Sequence, residues 1–210
     1  MQNEDKPLTM RAKQVIPLNL RAQKQNIRLI TNLRNYCSLE MFVLTKTDEN
    51  LKAAFAGESQ ANRLYLAFAK KAEEEGYTQA AKLFKAAAEA ETVHALNHVL
   101  ITGQVRSTLD NLGTAVSGET YEFRKMYPEF LAEAKQEDAK QAAWSFNVAN
   151  KVEQIHAGLF QKAIDAMKNK KDMEKVDYYV CTVCGNTVEG SPPEKCPICA
   201  SPKEKFFKPV

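Results

Sequence analysis

Acidic and imidazole side chains interrupt four apolar helical stripes of this chain at the same relative point. Each stripe advances in steps of three and four residues, the spacing of side chains on one face of an α-helix. The interrupting residues, in stripe order, are Glu58; Glu91 and His94; Glu119 and Glu122; Glu153 and His156. Ionised carboxylates in an apolar core are costly unless cations compensate them. The pattern therefore predicts a metal site between four helices.

The two halves of this region repeat. Ala56-Gly57-Glu58-Ser59 is echoed by Ser117-Gly118-Glu119-Thr120 at an offset of 61 residues, and Glu91-x-x-His94 by Glu153-x-x-His156 at an offset of 62. One Glu from each of two helices, with Glu-x-x-His from each of the other two, is the ligand set of di-iron carboxylate bundles. Each Glu of a Glu-x-x-His can bridge two metals while the imidazole one turn away binds one. The repeat predicts an all-α, ferritin-like four-helix bundle that holds two irons.

The repeat is broken at one point. Ala61 stands where the matching position in the second half is Glu122, so only one side of the site has a spare carboxylate and the two irons should be inequivalent. Tyr65 and Tyr127 follow the single glutamates of the two halves by seven and eight residues, about two helical turns. They either hydrogen-bond a metal ligand or are ordinary core tyrosines.

Four cysteines near the end of the chain form a second candidate metal site. Cys181-Thr-Val-Cys184 is followed by Cys196-Pro-Ile-Cys199 after eleven intervening residues. Two Cys-x-x-Cys turns, or knuckles, make a tetrahedral four-thiolate site for zinc or for a single iron. The thiolate ligands alone do not distinguish between these metals. A redox-active di-iron site needs electrons, which favours iron here. A module of about 35 residues is too small to fold on its core alone and needs its metal. Cys37 lies apart and is expected to be a free thiol.

The charge of the chain is unevenly distributed. The formal net charge is +3, but residues 6 to 39 contain seven Lys or Arg and no acid, whereas residues 40 to 210 contain 24 acidic and 22 basic residues. A nucleic-acid partner is therefore not expected. The chain has no secretory apolar segment and no apolar run of eighteen residues, so we expect a cytoplasmic protein that does not span a membrane.

Helix-breaking and helix-capping residues divide the chain into four regions. Residues 1 to 40 form a basic extension. Three alternatives are expected for it: it lies upstream of the true start codon, it is an organelle presequence, or it docks on the bundle. Residues 46 to 169 are expected to form the bundle, 170 to 176 a linker and 177 to 210 the cysteine module.

Within the bundle, Thr47 and Asp48 are expected to cap a first helix that ends near Gly76, and Thr78 opens a second that ends around Gly103. A third helix from Thr108 or Asp110 should kink at Pro128, and a fourth should run from about Glu137 to Asn169. The short connection from Ile101 to Leu109 either runs over the bundle or feeds a swapped dimer.

Residues 41 to 210 resemble rubrerythrin. The matching motifs are Ala56 to Ala61 (A-G-E-S-Q-A), Glu91-x-x-His94, Gly118-Glu119-x-x-Glu122, Met126-Tyr-Pro128, Glu153-x-x-His156 and the C-terminal rubredoxin-type module. The resemblance implies a cytoplasmic non-haem di-iron peroxidase that reduces hydrogen peroxide to water in oxidative-stress defence. It also implies a homodimer or higher homo-oligomer and an external electron donor, such as a rubredoxin or an NAD(P)H-dependent reductase.

The resemblance also implies roles for individual residues. The positions of Glu91 and Glu153 bridge the irons, and those of Glu58 and Glu119 bind one iron each. His156 holds the second iron, while His94 and Glu122 exchange at the first as the redox state changes. We add Tyr65 and Tyr127 to His94 and Glu122 as candidate catalytic residues, and Cys181, Cys184, Cys196 and Cys199 as the thiolate ligands.

Two other functions use the same residues. One is a ferroxidase or oxygen-reducing oxidase, and the other is an iron-storage protein with structural zinc at the cysteines.

One local departure from the family concerns the joint between the third and fourth helices. It reads Ala134-Lys-Gln-Glu-Asp138 without the usual Gly, which leaves its turn geometry open.

Overall fold

A computed structural model describes residues 45–169 and 171–209, so the basic extension and Cys37 lie outside the described residues. The helical elements are α1 (Lys46–Glu74), α2 (Thr78–Ile101), α3 (Thr108–Tyr121), a π-helical turn (Glu122–Met126), α4 (Tyr127–Gln136) and α5 (Lys140–Lys168). They are followed by β1 (Tyr178–Cys181), β2 (Thr187–Glu189), a 3₁₀ turn (Lys203–Lys205) and β3 (Phe206–Phe207). The predicted class, long helices followed by a small sheet domain with four cysteines, is confirmed. None of the described helices is apolar over a length that could cross a membrane.

The first helix starts earlier than predicted. Thr45, not Thr47, is the N-cap: its hydroxyl accepts from the Asp48 N–H at 3.2 Å, and the Asp48 carboxylate accepts from the Thr45 N–H at 2.9 Å. Asp48 is therefore the third helical residue of a capping box, which places the cap one turn before it. The third helix begins at Thr108 as predicted, capped by the Ser107 side chain, which accepts from the Asp110 N–H.

The third predicted helix is interrupted just before Pro128. The predicted kink takes the form of the π-helical turn Glu122–Met126, which begins at a candidate ligand. Proline has no N–H to donate to the carbonyl four residues earlier, so the helix is weakest here, and an extra residue fits into the turn. The fourth helix begins at Lys140 rather than near Glu137, because Asp138 takes a positive φ of 52° in the place of the usual Gly. Asp tolerates this region better than most residues.

The helices pack as two hairpins. In the first, α1 and α2 approach through small residues, with Ala81, Ala88 and Ala95 of α2 all buried. Asn62 of α1 is buried against them and donates to the Ala88 carbonyl at 2.7 Å and to Thr92 Oγ1 at 2.8 Å. In the second hairpin, α5 packs along α3 and α4. Within the described part of the chain, α1 and α2 do not pack along α3, α4 or α5.

The ligand faces are less buried than the apolar stripes predicted. The stripe of α1 through Glu58 is half-buried, and His94 of α2 is exposed. The reason is that the closest contact within the first hairpin runs through the alanines, beside the ligand stripe, so the stripe itself faces outward. The first hairpin thus presents its ligands on an open face.

The residues from Asp177 onward, here called the cysteine domain, form an antiparallel sheet of order β2-β1-β3. Tyr178 pairs with Glu189, and Val180 pairs with Phe207. Gly185 has a φ of +81° at the end of the first knuckle, as expected for a thiolate turn. This domain contacts α5 through Lys162, whose Nζ donates to Glu189 at 2.8 Å.

Candidate metal centres

The first hairpin carries one half of the predicted bundle site. Glu58, Glu91 and His94 place their ligand atoms within 4.8 Å of one another. His94 Nδ1 lies 2.9 Å from Glu91 Oε2, which is one helical turn away. The His94 side chain is 55% exposed, so this half-site opens to solvent.

The second hairpin carries the other half. Glu119, Glu153 and His156 also place their ligand atoms within 4.8 Å of one another. His156 Nδ1 lies 2.8 Å from Glu153 Oε2 and 3.8 Å from Glu119 Oε1. The imidazole of this half-site is more buried than that of the first, since the His156 side chain is 26% exposed and the His94 side chain 55%. Within the described residues, six of the seven predicted bundle ligands are thus brought together in two clusters rather than one, and Glu122 belongs to neither cluster.

The second half-site concentrates negative charge. Burial, followed by the charges of Glu153 and Glu122, raises the pKa of Glu119 to about 7. Burial and the charge of Glu153 also raise the pKa of Glu122, which begins the π-helical turn. Carboxylates that repel one another in this way, beside an imidazole, are compensated by a bound divalent cation. The donor set therefore fits iron.

The two candidate tyrosines occupy equivalent places in the repeat. Tyr65 packs against Phe68 and Phe84, with ring centroids 6.4 and 6.2 Å away. Tyr127 packs in the same way against Phe130 and Phe146, at 6.4 and 6.3 Å. Burial, then the charges of Glu122, Glu153 and Glu119, raises the pKa of Tyr127, so its hydroxyl lies in the field of the second half-site.

Sequence reasoning missed one residue at the second half-site, Thr187 of β2. Its Oγ1 lies 2.9 Å from His156 Nε2 and donates to the Gly185 carbonyl at 3.2 Å. When Nδ1, which faces Glu119 and Glu153, binds a metal, the ring proton is on Nε2, and Thr187 Oγ1 is placed to accept it. A metal-binding imidazole needs this tautomer. No local signal identifies Thr187, since it lies 31 residues from His156 in the other domain.

The four cysteines of the cysteine domain converge as predicted. Cys181 Sγ lies 3.7 Å from Cys199 Sγ, and Cys184 Sγ lies 3.6 Å from Cys196 Sγ. These are not disulfide distances. They are close to the edge of about 3.8 Å expected when four thiolates surround a metal at about 2.3 Å.

The environment acts differently on the cysteines of this site: burial and hydrogen bonding with the neighbouring thiols raise the pKa of Cys184, whereas polar groups favour a thiolate at Cys199. Burial raises the pKa of the Cys199 thiol, but hydrogen bonding with the Ser201 side chain and backbone and with neighbouring thiols outweighs it and lowers the pKa to about 6. The Asn186 amide, fully buried, donates to Cys196 Sγ at 3.7 Å.

Comparison with known families agrees with both centres. Residues 49–164 match the family model described as rubrerythrin, and residues 179–207 match that of the rubrerythrin rubredoxin-like domain. The chain belongs to the rubrerythrin family. The cysteine domain is accordingly called the rubredoxin-like domain below.

Individual relatives cover most of the chain. Rubrerythrin-2 of Clostridium acetobutylicum is 38% identical over 174 residues, which are 76% of this chain and 95% of that protein. Nigerythrin of Nitratidesulfovibrio vulgaris is 36% identical over 206 residues, covering 90% of this chain and 98% of that protein. A solved structure of nigerythrin in a partially reduced state is 33% identical, covers 91% of this chain and all of that chain, and has a TM-score of 0.48.

Family membership, the two carboxylate-imidazole clusters and the four-thiolate site together confirm the predicted cofactors. The protein is a di-iron carboxylate protein with a rubredoxin-like metal site.

Proposed function

We propose that this protein is a non-haem di-iron peroxidase that reduces hydrogen peroxide to water with electrons delivered through its rubredoxin-like domain. The contact between His156 Nε2 and Thr187 Oγ1, at 2.9 Å, carries this proposal. It joins an imidazole of the bundle half-site to a strand of the rubredoxin-like domain. A structural zinc module would not need a polar contact to that imidazole.

The path between the two centres is short. Only Gly185 and Asn186 lie between Cys184 and Thr187, so two residues of chain separate a thiolate residue from the residue whose hydroxyl contacts His156. Gly185 also lies against Val152, the residue immediately before Glu153; a Cβ at Gly185 would lie 3.8 Å from Val152 Cγ1. Close packing of this kind favours electron transfer within one chain.

The rubredoxin-like domain also has an exposed side where electrons can arrive. Val183 lies between the two cysteines of the first knuckle and is 41% exposed. An external donor, a rubredoxin or an NAD(P)H-dependent reductase, can approach the thiolate site there.

The reaction consumes two electrons and two protons for each peroxide and releases two water molecules. When bound, the iron pair supplies the two electrons. The chain's carboxylates compensate the charge of the iron pair: burial and mutual repulsion raise the pKa values of Glu119 and Glu122 in the metal-free site, so both carboxylates gain from a bound cation. We assign His94 and Glu122 as alternative ligands of the first iron in its two redox states and His156 as the fixed ligand of the second.

A cavity beside the second half-site gives a small oxidant room to approach. Its volume is about 460 Å³, and Glu119, His156 and Thr187 line it together with apolar side chains such as Leu159 and Phe160. An apolar lining with a few polar groups at one end suits a small neutral molecule such as hydrogen peroxide.

Cys184→Ser tests the proposal. The variant should lose sustained peroxide turnover with a reductant that acts through the rubredoxin-like domain, because the cysteines relay electrons. It should retain one reaction of the pre-reduced bundle site with peroxide, since the bundle ligands are unchanged. Multiple turnovers at the wild-type rate would contradict the relay. Faster oxidation by oxygen than by peroxide would favour an oxidase, and stoichiometric zinc with no peroxide reaction would favour iron storage.

A further inference from the structure

The two half-sites of the bundle are complementary but separate. Each supplies one single Glu and one Glu-x-x-His, and a di-iron site needs both sets. In the described part of the chain they form distinct clusters on distinct hairpins. A single chain in this arrangement lacks a complete site.

The order of residues in the two Glu-x-x-His motifs fixes the relative direction of two helices. His94 follows Glu91, and His156 follows Glu153, by three residues, or about 4.5 Å along the helix. If α2 and α5 ran in the same direction, both imidazoles would lie on the same side of the bridging glutamates and bind the same iron. One imidazole for each iron requires α2 and α5 to be antiparallel. Since α5 turns back along α3 and α4, α2 must then run parallel to α3.

The connection between α2 and α3 is too short for that arrangement within one chain. Glu91 lies ten residues before the end of α2 at Ile101, and Glu119 lies eleven residues after the start of α3 at Thr108. With the two glutamates level and the helices parallel, the connected ends are about 31 Å apart along the bundle. Seven Cα-to-Cα steps from Ile101 to Thr108 reach at most about 25 Å. The connection therefore cannot return the chain across its own bundle.

We propose that each di-iron site is built from two copies of this chain, with the α1–α2 hairpin of one copy packed on the α3–α5 hairpin of the other. A second copy is the occupant because every chain carries both halves, so a two-fold exchange completes two sites at once. This inference rests on the di-iron ligand set and is independent of the oxidant.

The apolar surface agrees with a second copy. On α2, Leu83 and Ile101 lie on the same helical face as His94, 11 residues before it and 7 residues after it, and are 70% and 68% exposed. Uncovered apolar side chains beside a ligand cluster mark an interaction surface. Two exchanged hairpin contacts, each several helical turns long, belong to the size class of permanent homodimers, about 2,000–5,000 Å².

Complementation between two full-length variants tests the exchange. One variant carries Glu58→Gln and Glu91→Gln, and the other carries Glu119→Gln and Glu153→Gln. Gln keeps the size of Glu, so the helices should still pair. The variants are co-expressed with different tags, the mixed dimer is purified, and iron bound to the bundle is counted after loading with Fe(II) alone, separately from the iron at the four cysteines.

The exchanged arrangement predicts one complete iron pair per mixed dimer, half the content of the wild-type dimer, because one site receives both intact hairpins. Dimers with the same variant in both copies should hold none and serve as controls. A folded mixed dimer without bundle iron would overturn the proposal, since sites within single chains cannot complement each other.

A longer connection provides a second test that does not alter any ligand. About 20 additional Gly and Ser residues between Gly103 and Gln104 can span the required distance. The extended chain should then form a monomer with a full iron pair, measured by light scattering and metal analysis. A wild-type protein that is already monomeric with a full iron pair would also refute the exchange.

Discussion

Replacement of Thr187 by Val tests whether the rubredoxin-like domain positions a ligand of the bundle site. Val keeps the branched shape that suits strand β2 but removes the hydroxyl 2.9 Å from His156 Nε2, which can accept the Nε2 proton when Nδ1 binds a metal. Without that acceptor the imidazole is free to adopt the other tautomer, with a proton on Nδ1. Nδ1 is the nitrogen that faces Glu119 and Glu153.

The size of the effect follows from the exposure of the ring. Loss of a partner next to a metal-binding imidazole typically costs about 10- to 100-fold in metal affinity. His156 is 26% exposed, so water can replace part of the lost interaction. We therefore expect the lower end, a loss of about tenfold in Fe(II) affinity at the bundle site, or about 1.4 kcal/mol.

The assay is anaerobic competition for Fe(II) between the protein and a chelator. The visible absorption of iron at the four cysteines is the internal control and should not change, because Thr187 is not one of its ligands. Thr187→Ser retains the hydroxyl and should keep wild-type affinity. Equal affinity for the Val variant and wild type, or an equal loss in the Ser variant, would refute the positioning role.

Two further predictions concern stability, measured by urea unfolding of the metal-free protein at fixed protein concentration. Asn62→Leu should destabilise the first hairpin by about 1–3 kcal/mol, since it removes the hydrogen bonds to Ala88 and Thr92 from a buried position, whereas Gln60→Ala on the exposed side should have little effect. Asp138→Val should cost about 1–2 kcal/mol because φ is +52° there, and Asp138→Gly should not. A neutral Asn62→Leu, or equal losses in both Asp138 variants, would contradict these assignments.

Helical periodicity was sufficient to predict which candidate ligands lie together because it reports which side chains share a face. Glu58, Glu91 and His94 do lie together, as do Glu119, Glu153 and His156. Periodicity does not report which molecule covers that face. The prediction of buried ligand stripes therefore failed in the single chain, where His94 is exposed.

Local details were predictable only where one residue determines them. Cysteine spacing identified the four-thiolate site, and Pro128 marked the interruption of the third helix. The π-helical form of that interruption was not predictable, since proline weakens a turn without specifying how many residues it contains. The cap at Thr45 was missed because two threonines lie two residues apart and only the position of Asp48 in the capping box selects one.

The two proposals together predict which chain feeds which site. The rubredoxin-like domain contacts His156 of its own chain, so a complete site should receive electrons from the copy that supplies α5. In the mixed dimer, the complete site takes α5 from the copy that carries Glu58→Gln and Glu91→Gln. Cys184→Ser in that copy should abolish sustained peroxide turnover, while the same change in the other copy should leave it intact. The opposite dependence would mean that electrons cross to the other copy, and equal loss in both would mean that the two rubredoxin-like domains act together.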